Sequence, residues 1–140
     1  MNNPDQIVWN YIYRTLNEKF WKGKLRSIPT FCRSLSGDQL GDFEHTVDGF
    51  NLIILADNQQ LSVRELCGVL LHEMCHQAVF EKFGCDLHPH GKEWQEEMRR
   101  VGFSGKIDML TDGLDRFSKD DTTQLIIRHN YFIKEYGISD

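Results

Sequence analysis

The segment GVLLHEMCHQAVF, residues 68–80, limits the fold more than any other part of the chain. Apolar side chains crowd it at nearly every helical position: Leu66, Val69, Leu70, Leu71, Met74, Ala78, Val79 and Phe80. A helix that is hydrophobic all round belongs inside a protein. Yet this one also carries His72, Glu73 and His76. Burying a carboxylate and two imidazoles costs several kcal/mol unless they are paired or bound to a cation. The fold must therefore run this helix through its centre and give the three polar groups a shared partner.

The spacing names the partner. Residues four apart on a helix face the same way, so His72 and His76 present two imidazoles to one point. This is how an HExxH segment holds zinc. Glu73 lies one step round the helix, where it reaches a water on the metal without being a ligand. Such a carboxylate takes the proton as the water attacks a carbonyl. A catalytic zinc needs a third protein ligand and one open position. A histidine six residues after His76 is one known solution, but Lys82 stands there. Glu96, twenty residues on, and His90, fourteen residues on, are both candidates, with His88 close behind. Glu96 lies in the polar run KEWQEEM and needs no special role on a solvated face. His90 precedes Gly91, where the backbone turns freely, and Pro89 fixes the approach.

A chain of 140 residues is expected to form one domain over its whole length, 1–140, with a core that needs no disulfides. Pro4 opens a helical pattern that runs to about Lys22, with Ile7 or Val8, Tyr11 or Ile12, Leu16 and Phe20 as its stripe, and Gly23 ends it. Residues 28–33 read as a short strand. The stretch 36–49 is rich in turns, with a strand at 43–47 between them. FNLIILA, residues 50–56, is the clearest strand. Ser62 and Glu65 form an S-x-x-E capping box, so the next helix should span 62–82, stopped by Gly84. After the loop CDLHPH a further helix is expected over 91–101. The tail from 104 is an extension, with a helical element expected between Asp121 and Gly137. The order of elements makes the class α+β.

No segment reaches eighteen apolar residues in a row, and MNNPDQIVWN is not a secretory signal. The expected location is the cytoplasm. Cys32, Cys67, Cys75 and Cys85 show no CxxC pair and read as reduced thiols. The net charge of −5 disfavours general nucleic-acid binding, which relies on neutralising phosphates. The basic stretch EKFWKGKLR reads as a solvated helix end and turn.

The stretch LLHEMCHQAVFEKFGCDLHPHGKEWQEEMRRVG resembles the SprT-like metalloprotease domain. That family shows HExxH, a variable loop, then HG and a short helix with an aromatic, a place that Trp94 takes. LNEKFWKGKL is similar to the family's opening helix, and GFNLIILA to its strand before the active-site helix. The resemblance covers about residues 7–103. It implies a zincin-like α+β fold, zinc held by His72, His76 and His90, Glu73 as the catalytic glutamate, and peptidase activity on proteins. The best-known members cut proteins crosslinked to DNA. No cysteine follows Cys85, so the expectation is a minimal form without the C-terminal zinc ribbon of many members. The rival reading is an inactive metal-binding relative that serves as a protein- or nucleic-acid-interaction module.

Strand 50–56 has two readings, a platform for an extended substrate or an internal core strand. Candidate donors to an oxyanion are Tyr131, His129, Arg128, Arg99 and Arg100. Cys85 with His88 is a weak second metal candidate, and His45 and His129 read as ordinary surface histidines.

Overall fold

Helix α1, Gln6–Trp21, buries Trp9, Ile12, Tyr13 and Leu16, a stripe spaced by three and four residues. Ile7 and Tyr11, the alternatives the stripe left open, face solvent. The computed structural model describes residues 6–37, 39–46, 48–61, 63–87 and 91–101. Lys22 and Gly23 both take left-handed backbone, with φ of 55° and 74°, and this turns the chain out of α1. Asn17 then clamps the returning strand of chain. Its amide donates to Leu25 O at 3.0 Å, and its carbonyl accepts from Leu25 N at 3.1 Å.

Three strands follow: β1 Thr30–Arg33, β2 Gly41–His45 and β3 Asn51–Ala56. The sheet order is β1-β3-β2, parallel on one side of β3 and antiparallel on the other. β2 begins two residues before the expected start because its register follows β3, with Gly41 opposite Leu55 and His45 opposite Asn51. Thr46 closes the β2–β3 hairpin. Its amide donates to Phe50 O at 2.9 Å, and its hydroxyl accepts from Phe50 N at 3.0 Å and bonds Asp48. β3 is flanked on both sides, which corrects its reading as a substrate platform. Among the described residues it is the internal core strand, and β2 is an edge.

Helix α2, Val63–Phe83, packs against β2, β3 and the last helix. Leu66, Val69, Leu70, Leu71, Met74, Cys75 and Val79 are all buried in one core with Trp9, Tyr13, Ile53 and Leu55. Ser62 of the capping box lies outside the described residues, and the helix starts at the next residue. Gly84 ends it with φ of 82°, its amide donating to Phe80 O at 2.8 Å. Gln77, fully buried on α2, joins α1 and the loop after it. Its carbonyl lies 2.7 Å from the Tyr13 hydroxyl, and its amide donates to Arg26 O at 2.9 Å and Glu81 Oε2 at 2.6 Å. Burial pushes the Tyr13 phenol far above its ordinary range.

Helix α3, Lys92–Arg100, turns Trp94 and Met98 inward, four residues apart. The observed elements are therefore α+β, three helices with a small mixed sheet. Residues 102–140, including the expected helix from Asp121, lie outside the described residues. α3 is latched to the end of α1. Trp21 Nε1 donates to Glu97 Oε2 at 2.9 Å, and Arg100 donates to Phe20 O at 2.6 Å. Arg100 also forks onto Glu97 at 3.1 and 3.0 Å. Partial burial pushes the Glu97 carboxyl up, but hydrogen bonds from Arg100 and Trp21 outweigh it and hold the group below its ordinary value. A carboxylate depressed in this way adds stability above the unfolded value of about 4.3 and loses it as pH falls through the folded one. Glu97→Ala should cost about 1 kcal/mol near neutral pH, the latch being partly exposed. Urea unfolding of both proteins should show that difference shrink as pH is lowered into the acid range.

Candidate metal centre

The interior of α2 brings three of the expected site residues together. Ligand atoms of His72, Glu73 and His76 all lie within 4.8 Å of one another. The two Nε2 atoms face each other at 3.2 Å. His72 Nε2 stands 3.8 Å from Glu73 Oε2. His72 and Glu73 are buried, and His76 is partly so. Two nitrogens each about 2.05 Å from a tetrahedral ion lie about 3.3 Å apart, so the observed spacing suits one. A cation there would engage both nitrogens and balance the neighbouring carboxylate. Two converging imidazoles with a carboxylate beside them are an arrangement that could hold a metal ion, and imidazole nitrogens suit zinc.

Two neighbours shape this centre. Trp94 of α3 lies parallel to the His76 ring, with centroids 5.1 Å apart and planes 12° apart. The same indole meets His72 edge to face at 5.0 Å, and the imidazoles meet each other at 4.9 Å. From the other side comes Gly41, the first residue of β2. A Cβ on Gly41 would stand 2.4 Å from Val69 Cγ1 and 3.0 Å from Glu73 Oε2. Only a residue without a side chain lets the strand pass this close to the carboxylate.

His90, expected as the third ligand, lies outside the described residues, as does His88. Its rival Glu96 is placed away from the centre. It stands on the face of α3 opposite Trp94 and Met98, two-thirds exposed, with its carboxylate 3.9 Å from Lys92 Nζ. Arg100, a candidate oxyanion donor, is corrected to a structural role, since its guanidinium is committed to Glu97 and Phe20 O. Arg99 is exposed on α3. Arg128, His129 and Tyr131 lie outside the described residues. Cys75, next to His76 in the chain, points into the core, where burial pushes its thiol well up and keeps it an inert hydrophobe. His45 is exposed, as expected, but stacks on Phe80 at 4.4 Å beside Phe43.

The Gly41 approach left no trace that sequence could carry, because Gly41-Asp42 reads as a turn. Trp94 was identifiable only as the aromatic of the short helix that follows HG in the family resemblance. Its stacking on both imidazoles depends on how α3 docks.

An α+β chain whose central buried helix holds a His-Glu-His cluster belongs to a recognisable class, the HExxH proteins. The pattern of the SprT-like family matches residues 9–115, and the chain belongs to that family. Compared with curated proteins, the sequence finds no match. No helix among the described residues is long and apolar enough to cross a membrane.

Gly41→Ala should cost about 1–3 kcal/mol in urea unfolding, the usual range for forcing an extra methyl into a packed interior. Val69→Ala carries its own cavity cost, so the pair is read as a mutant cycle: a double variant that costs less than the sum of the singles places the conflict at Val69, and additive costs place it at Glu73.

Proposed function

We propose that this chain is a zinc metalloendopeptidase with a zincin-like fold, hydrolysing peptide bonds of protein substrates in the cytoplasm. The observation that supports this best is the buried convergence of the His72 and His76 nitrogens at 3.2 Å with the Glu73 carboxylate alongside. Membership of the SprT-like family supports it independently. His72 and His76 hold the metal from α2, and His90 is the third ligand in this reading. Zinc bound there supplies Lewis acidity, polarising a peptide carbonyl and lowering the pKa of a water.

Glu73 is the general base in this reading. Its carboxylate takes a proton from the attacking water and passes it to the leaving amine. The β2 backbone at Gly41 keeps that carboxylate from swinging away. The outer edge of β2 suits an extended substrate. Leu40 and Thr46 bond inward to β3, so by alternation the main-chain groups of Phe43 and His45 point outward. A peptide added there as a further strand would run past Glu73. Proteins associated with DNA or crosslinked to it are the substrates that the family resemblance suggests. The net charge of −5 gives no general attraction to phosphates, so any DNA contact would be local.

Purified protein should carry about one zinc per chain, and His90→Ala should lose most of it, as read by metal analysis. If His90→Ala kept its zinc, the third-ligand assignment would be wrong. Glu73→Gln should retain the metal and lose casein cleavage by at least about a hundredfold. Cleavage at the wild-type rate in that variant would sink the mechanism. Assays with and without single-stranded DNA test the substrate class: stimulation supports DNA-linked proteins, and equal rates argue against them.

A further inference from the structure

We propose that Trp94 is a positioning residue, one that sets the two imidazoles in their converging orientation before any metal arrives. The inference rests on the metal-site reading above and adds a device to it. A histidine on a helix can swing its ring about two side-chain torsions, and a pair left free would meet a cation in many unproductive orientations. Here the His76 ring lies parallel under the indole at 5.1 Å, and the His72 ring meets the same indole edge to face at 5.0 Å. Both are preferred aromatic geometries. The imidazoles also meet each other at 4.9 Å and 68°. Three rings in mutual contact leave little room for either imidazole to turn, and the orientation they share puts the two Nε2 atoms 3.2 Å apart.

Trp94 can hold this orientation because its own place is over-determined. It is buried, as is Met98 one turn later. The far end of α3 is tied to α1 through Glu97 to Trp21 and Arg100 to Phe20 O. α3 also packs on α2, the helix that carries the imidazoles. Groups outside the ligand shell that fix ligand orientation commonly govern metal affinity. An aromatic face does so here by stacking.

The test compares full-length wild type with Trp94→Leu and Trp94→Phe, measuring zinc affinity by competition with a chromophoric chelator. Circular dichroism and thermal melting of the metal-free proteins establish that each variant is folded. Trp94→Leu should bind zinc about 10–100-fold more weakly, through loss of the stacking ring. Trp94→Phe, which keeps a ring, should restore most of the affinity. Equal affinity in a folded Trp94→Leu, or no rescue by phenylalanine, would overturn the positioning role. A second measurement needs no variant. In metal-free wild type the His76 ring protons should resonate upfield, under the indole ring current; ordinary histidine shifts there would also overturn the proposal. Absence of zinc binding by wild type is a separate result, one that removes the metal site and the inference built on it together.

Discussion

A carboxylate and two imidazoles inside an apolar helix are the demand that the rest of this structure meets. Helix α2 has no broad solvent face to which His72 and Glu73 could turn. Its neighbours therefore have to approach closely and without polar gaps. Gly41 lets a strand backbone lie against Glu73. Trp94 covers the imidazoles with a large flat ring. Gln77, one residue past the second histidine, is a further polar group buried on the same helix. It is fully saturated with hydrogen bonds to Tyr13, Arg26 and Glu81.

Elements whose causes are local were readable in the sequence. Gly84 is a stop because it must adopt left-handed backbone, and it does so at φ of 82°. FNLIILA reads as a strand because its near-continuous apolar run suits burial on both faces, and Ile53, Ile54, Leu55 and Ala56 are all buried. The stripe of α1 left Ile7 or Val8 and Tyr11 or Ile12 open; packing chose Ile12 with Leu16 and added Trp9 and Tyr13, which the spacing had not named. What could not be read were contacts made across the fold. The register of β2 follows β3, so the strand starts at Gly41 in what looked like a turn. The choice of internal over edge position for β3 depends on a third strand pairing in parallel, which no local pattern encodes.

The candidate site divides in the same way. His72, Glu73 and His76 share a helix, and helical geometry alone brings them together. Glu96 looked eligible by spacing, yet helix phase turns it to the side opposite Trp94, where Lys92 stands nearby. The stacking of Trp94 could not be seen at all from spacing. It depends on α3 lying across α2, and that placement is fixed by residues at the end of α1.

The latch between α1 and α3 also bears on how the protein opens. Arg100 and Phe20 are 80 residues apart in sequence, and the latch sits near the surface. α3 is a nine-residue segment outside the sheet, held among the described residues by an inward face and this latch. Local openings in proteins run through cooperative units that differ in stability. Detaching α3 would take Trp94 off both imidazoles while β1, β3 and α2 kept their packing. Hydrogen exchange at the α3 amides would then report a partial unfolding distinct from the global one, and access to His72 and His76 would follow the lower of the two free energies.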